Sequence, residues 1–238
     1  MKAVIIAAGM GTRLSRISGE LPKPLTPVCG APLLARIICV CREAGIGEFV
    51  LVVGYMAGAL KNYFADGKRL QVKIDYIFNP DWQRANGISA LKAKKLVGSE
   101  ETFLLLMSDH LFNRQMLDHL LADTSGKNLL AVDKAVDKIF DLPDATKVLC
   151  QGTVIRDIGK EISRYNGIDC GMFRLKANFF NAMETAISQG RESLSDGVRE
   201  LIAQDDFAAS FISPAAKWLD VDTEEAFRYA EEHIEWFS

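Results

Sequence analysis

What the 238-residue chain lacks narrows its function before any motif is considered. No apolar stretch approaches the ~18–20 residues that cross a bilayer, so no spanning segment is expected in it. Five cysteines (Cys29, Cys39, Cys41, Cys150 and Cys170) are an odd number without a CxxC pair. They suggest neither a disulfide framework nor a zinc site. The three histidines, His110, His119 and His233, share no metal-ligand spacing. Neither charge sign dominates, with 28 Lys+Arg against 31 Asp+Glu and a net charge of −3. That balance argues against a nucleic-acid or membrane surface built on bulk positive charge. The opening MKAVIIAAGMGTRL has one lysine and an apolar stretch too short for a signal peptide, so a cytoplasmic location is expected. No repeat, low-complexity tract or charge block marks a linker, and the chain is read as one domain, 1–238.

What is present alternates between two periods. Lys2–Ala8, Phe49–Val53, Val72–Phe78, Thr102–Met107 and Asn128–Asp133 are short apolar runs rich in β-branched residues. Several are apolar at nearly every position, as a sheet covered on both faces requires. Between them, Pro32–Ala44, Met56–Phe64, Ile88–Leu96 and Arg114–Leu121 carry apolar residues three and four apart, which predicts helices. Repeated β-then-α order predicts an α/β fold with a doubly wound, mostly parallel sheet. From about Lys134 the pattern changes to shorter pieces, Thr146–Leu149, Thr153–Ile158 and Ile168–Leu175, followed by two helices. This part is expected to add antiparallel strands and a lid over one edge.

The strongest local signal follows the first strand: Gly9-Met10-Gly11-Thr12-Arg13, then Leu21-Pro22-Lys23-Pro24-Leu25. Ligands of open parallel sheets bind beyond the carboxyl ends of the strands. Glycines there let backbone N–H groups approach phosphate oxygens, and Arg13 and Lys23 supply charge to hold a triphosphate. A dinucleotide fingerprint is excluded because Leu14 occupies its third glycine position, and no GKS or GKT completes a Walker loop. Ser108-Asp109-His110 ends another apolar strand, where a carboxylate sits on the ligand side and can hold Mg2+. Near the C-terminus, Trp218-Leu219-Asp220-Val221-Asp222-Thr223 offers two acids on one side of an extended segment. Asp222 or Thr223 is equally suited to cap the helix that begins there. Asn79-Pro80 and Asn86-Gly87-Ile88-Ser89 form a turn entering a helix, suited either to reading a base edge or to ordinary capping. Lys147, Lys160 and Asp169 fall where a second substrate would enter.

At GxGTRL…PKPL the sequence resembles the nucleotidyltransferase family that makes sugar nucleotides from a nucleoside triphosphate and a phosphorylated alcohol. Ala7-Ala8-Gly9-Met10-Gly11-Thr12-Arg13-Leu14 and Pro22-Lys23-Pro24-Leu25 carry the likeness. Asp109, Lys160, Gly167-Ile168-Asp169-Cys170-Gly171 and Asp220 follow in the family's order. The resemblance implies a Rossmann-like nucleotidyltransferase fold with a nucleotide-binding part at 1–133. An acceptor-binding part and C-terminal helix would occupy 134–238. It further implies nucleotide contacts from Ala8, Gly9, Gly11, Thr12, Asn86, Gly87 and Ser89, and Mg2+ held by Asp109 and Asp220. Arg13, Lys23 and Lys160 would be catalytic, and Lys147 and Asp169 would bind the acceptor. Within the family, Ser108-Asp109-His110, Asn86-Gly87-Ile88-Ser89 and the run Asp144-Ala145-Thr146-Lys147 are similar to the inositol-1-phosphate cytidylyltransferases.

The implied reaction transfers CMP from CTP to inositol 1-phosphate, releasing pyrophosphate. Such transfer depends on positioning and charge neutralisation, which explains why no activated Ser, Cys or His nucleophile stands out. A phosphocholine or sugar-1-phosphate nucleotidyltransferase is the alternative acceptor reading. A non-catalytic nucleotide-binding subunit is disfavoured because Arg13, Lys23, Asp109, Lys160 and Asp220 are present together. Some relatives of this kind are fused to a membrane phosphatidyltransferase, so functional coupling to such a partner is expected, and no nucleic-acid partner is.

Overall fold

The opening apolar run folds as β1 (Lys2–Ala7), with Ala3, Ile5 and Ala7 buried on one side and Val4 and Ile6 on the other. Burial on both faces is why the run reads as continuously apolar rather than alternating. The protein is described by a computed structural model, which covers residues 1–14, 17, 19–98 and 102–237. After β1 come β2 (Pro27–Val28), β3 (Ala31–Pro32), β4 (Glu48–Val53), β5 (Lys73–Phe78), β6 (Thr102–Met107) and β7 (His110–Phe112). Then follow β8 (Asn128–Asp133), β9 (Lys147–Gln151), β10 (Val154–Gly159), β11 (Gly167–Lys176), β12 (Phe207–Phe211) and β13 (Trp218–Asp220). The α-helices whose bounds lie in the described residues are α1 (Leu33–Glu43), α2 (Ala57–Phe64), α3 (Asn86–Lys92), α4 (Lys94–Val97), α5 (Arg114–Ala122), α6 (Asn178–Ser188), α7 (Leu194–Ala203) and α8 (Glu224–Glu232).

A nine-stranded sheet runs in the order β5-β4-β1-β6-β11-β8-β12-β10-β9. Strands β5, β4, β1 and β6 are parallel, as the β-then-α order predicts. Strand β11 enters antiparallel between β6 and β8 and brings residues of the second part into the middle of the sheet. Several details differ from expectation, among them three helices after β11 in place of two. The helix predicted over 88–96 is two, α3 and α4, meeting at Ala93. Strand β12, parallel to β8, was not visible as a period because it is a five-residue run of Phe, Ala and Ser. Helices α1 and α5 cover one face, where Ile37, Ile38, Met116 and Leu117 are buried. Helices α3, α6 and α7 cover the other with Ala90, Phe179, Met183 and Val198. α7 is started by a capping box in which the Ser193 side chain accepts from the Asp196 N–H and Asp196 accepts from the Ser193 backbone.

A third, smaller core bears on the site. Leu14, Leu111, Leu219, Val221 and Phe227 pack together beneath the strand ends. It locks the GxGTRL segment, the two-stranded ribbon β7–β13 and the final helix into one unit. Among the described residues, no helix is long and apolar enough to cross a membrane.

Candidate active site

The β7–β13 ribbon assembles the site. Its antiparallel register sets Asp220 opposite His110 and Leu219 opposite Leu111, and the Val221 N–H donates to the Asp109 carbonyl at 3.0 Å. Residues some hundred positions apart are thereby fixed beside the carboxyl end of β6. One oxygen each from Asp109 and Asp220 and a ring nitrogen of His110 lie within 4.8 Å of one another. The Asp109 carboxylate accepts from His110 Nδ1 and from Lys23 Nζ, each at 2.8 Å.

Lys23 is buried at 5% exposure in a 3-10 turn, Lys23–Leu25, that Pro22 starts. Its ammonium pairs with Asp109 and Asp222. The GxG loop lies directly over the lysine stem: a Cβ on Gly11, whose φ is +64°, would stand 2.5 Å from Lys23 Cβ. This close approach, together with the left-handed backbone, is what requires glycine there. Asp222 uses its other oxygen for Arg13, which also pairs with Asp144 at 2.7 Å and with Asp141 at 3.1 Å. Asp222 therefore serves the two cations, while Thr223 caps α8 by accepting from the Ala226 N–H.

The pKa shifts follow from these contacts. Burial opposes the Asp109 anion, but Lys23 and His110 outweigh it and hold the carboxyl well below the usual range. Burial also opposes a charged His110, yet Asp220 and Asp109 lift it to about 9. Burial pushes Asp220 up, against the attraction of His110. Asp169, in β11, is pushed up to about 6 by burial, against its bond from the Gly171 N–H and the field of His110.

Above this floor lies a cavity of about 260 Å³. It is lined by Arg13, Asn86, Asp109, His110, Lys160, Asp169 and Asp220 together with Lys138–Asp141 and Asp144. The sequence-expected residues divide accordingly. Arg13, Asp109, Lys160, Asp169 and Asp220 converge on the cavity, and Lys23 lies beneath it, bonded to Asp109. Ala8 is buried, its carbonyl accepting from the Tyr55 N–H, and Gly9 is exposed at the loop tip. The side chain of Thr12 lies outside the described residues.

The expected base-reading turn enters α3, with Asn86 at the cavity wall. Asn86 already opens α3 and its Oδ1 accepts from the Leu194 N–H, while Gly87 and Ser89 are buried. Ser89 Oγ accepts from Asn79, just after β5, in the interior, so Ser89 ties α3 to a strand end while Asn86 ties it to α7. Lys147, expected to bind the acceptor, is held by backbone carbonyls. It is buried, and its Nζ donates to the Pro143 and Lys160 carbonyls. The joint role of Asp222 and the parts of Asp141 and Asp144 were not singled out in the sequence. Only the cationic loop they would have to face could have pointed to them.

The residues present fit a divalent cation. Asp220 Oδ1 is buried without a hydrogen-bond partner and belongs to the oxygen and nitrogen cluster with Asp109 and His110. An unsatisfied buried carboxylate oxygen beside a second carboxylate is the donor chemistry that hard cations take.

The family model described as nucleotidyl transferase matches residues 2–236. A bifunctional IPC transferase and DIPP synthase of Rubrobacter xylanophilus is 33% identical over 233 residues, covering 98% of this chain and 51% of that protein. The protein of the same name from Aquifex aeolicus is 31% identical, with the same 98% and 51% coverage. The chain thus spans about half the length of these curated relatives. The structure of the inositol-1-phosphate CTP transferase from T. maritima superimposes with a TM-score of 0.84 at 26% identity, over 94% of this chain and 90% of that one.

Proposed function

The chain belongs to the nucleotidyl transferase family, and from that premise we propose that it transfers CMP from CTP to inositol 1-phosphate, giving CDP-inositol and pyrophosphate. The observation that carries this reading is the shared cavity in which Arg13 and Lys160 face Asp109 and Asp220, with Lys23 bonded to Asp109 from below. The choice of base and acceptor is supported by the T. maritima inositol-1-phosphate CTP transferase and by the two IPC transferase relatives.

In this reading an oxygen of the acceptor phosphate attacks the α-phosphorus of CTP, and the bond to the β-phosphate oxygen breaks in line. Arg13 and Lys23 hold the triphosphate charge, with Lys23 nearest the reacting phosphorus. Asp109 and Asp220 would hold Mg2+, which when bound neutralises phosphate charge and orients the reacting groups. His110 keeps the Asp109 carboxylate oriented through Nδ1, and its ring stacks on Trp218 at 5.8 Å. Lys160 receives the acceptor phosphate, and Asp169 accepts from ring hydroxyls. The acceptor phosphate is already ionised at neutral pH, so no strong base is needed.

The test is pyrophosphate release with Mg2+, crossing CTP, UTP, GTP and dTTP with inositol 1-phosphate, phosphocholine and glucose 1-phosphate. Release confined to CTP with inositol 1-phosphate is the expected result. Release with another pair would replace the substrates and keep the reaction class. Silence from every pair, with nucleotide still bound, would overturn catalysis.

A further inference from the structure

Three cations face the two substrates in the proposed reaction, and two of them share one carboxylate. Asp144 gives Oδ2 to Arg13 Nη2 at 2.7 Å and Oδ1 to Lys160 Nζ. Arg13 is the nucleotide-side cation and Lys160 the acceptor-side cation in the reading above, on which this inference rests. The pairing is held by construction. The Asp144 N–H donates to the Asp141 carbonyl in a tight turn. The buried Lys147 ammonium ties the carbonyl of Pro143, next to Asp144, to the carbonyl of Lys160 itself. One buried cation thus sets the spacing between the carboxylate and its lysine partner. By contrast, Lys138 lines the same cavity with no carboxylate partner among the described residues. Among the lysines and arginines lining the cavity, carboxylate pairing is therefore particular to the two that would receive phosphate.

We infer that Asp144 is a specificity-determining residue, an internal anion that occupies Arg13 and Lys160 until both substrate phosphates displace it. Both cations are about half exposed, with side-chain exposures of 46% and 51%, so each pair is weak and solvent-screened. A triphosphate with several charged oxygens displaces such a partner readily. A small anion that makes a single contact gains little over the carboxylate it replaces. Asp144 therefore keeps inorganic phosphate, which lacks the ring hydroxyls that Asp169 takes from the acceptor, out of the acceptor position without blocking the substrates. Asp141 touches Arg13 alone, at 3.1 Å, so its effect is confined to the nucleotide side.

The experiment compares wild type, Asp144→Asn, Asp144→Ala and Asp141→Asn by calorimetric titration with inorganic phosphate and with pyrophosphate, and by pyrophosphate-release kinetics. Both Asp144 variants should bind both probes roughly 3- to 10-fold more tightly, the size of losing one or two exposed ion pairs. Inorganic phosphate should inhibit them at correspondingly lower concentration, with KM for both substrates lowered or unchanged. Asp141→Asn should tighten pyrophosphate alone. Unchanged or weakened binding of both probes in the two Asp144 variants would overturn the inference, because a merely structural residue does not tighten ligand binding when removed. The probes carry no base or alcohol, so the titrations decide this point even if CTP or inositol 1-phosphate proves to be the wrong substrate.

Discussion

The floor of the cavity and its covering segment hold charge in opposite ways. On the floor, Lys23 is buried between Asp109 and Asp222, and the β7–β13 ribbon pins both acids over a small apolar core. In the covering segment, Phe140 is 42% exposed and Asp141 and Asp144 reach Arg13 through half-exposed side chains. Buried charge is fixed because any displacement leaves an unpaired ion in low dielectric. Half-exposed charge is exchangeable because water or a ligand replaces the lost partner. The floor is thus suited to the bond-making step, common to every acceptor, and the cover to choosing what enters.

That contrast is open to four tests, in falling order of effect. Asp109→Ala and Lys23→Ala should each lower kcat by ~10²-fold or more in the pyrophosphate-release assay, as losses of transition-state charge stabilisation do. Near-normal turnover in either variant would remove the floor from the chemistry. In chemical denaturation, Leu105→Ala, at a fully buried position of β6, should cost about 2–5 kcal/mol, whereas Phe140→Ala in the cover should cost under about 1 kcal/mol. Similar costs would mean that the cover is as firmly packed as the sheet.

Gly171 joins the two regions. Its φ is +69°, and a Cβ there would stand 2.7 Å from the His110 ring. Gly171→Ala should cost about 1–2 kcal/mol of stability from the left-handed backbone alone. It should also lower kcat by displacing His110, both effects being read on one preparation. The smallest effect concerns pH. The Asp169 carboxyl is lifted to about 6 in the folded state, above its ordinary 3.8. Its folded-state preference for the proton is therefore fully expressed below pH ~4 and lost as pH rises through 6. In metal-free buffer, Asp169→Asn should raise Tm at pH 7.5, where the wild type carries a buried anion, and the gain should vanish near pH 4. A gain independent of pH would show that burial of the charge is not its origin.

The strands were legible because they are covered on both sides: Thr102–Met107 and Asn128–Asp133 coincide with their predicted spans, and β1 and β4 differ by one residue at an end. The cationic half of the site was legible too, since GxGTRL and PKPL place Arg13 and Lys23 close together in the chain, at strand and turn ends. The acidic half was legible only as separate residues. Nothing local in Trp218–Thr223 says that Asp220 faces His110, because a three-residue ribbon carries no period. For the complementary reason, the bonding of Asn86 and Lys147 was not legible. A polar side chain looks available in a sequence until the backbone atom that takes its hydrogen bond is known.

By itself, then, the sequence determined the alternation of strand and helix, the strand ends at which ligands gather, and the kinds of charge found there. Those properties depend on neighbours within a few residues, through apolar period, turn chemistry and glycine. Only the tertiary structure decided which charges are paired: Lys23 with Asp222, Arg13 with Asp141 and Asp144, and Asp220 Oδ1 with no hydrogen-bond partner at all. Pairing is a matter of distances of a few ångströms between groups up to about two hundred residues apart. Coulomb energy and desolvation depend on those distances and on burial, neither of which is written in the order of residues.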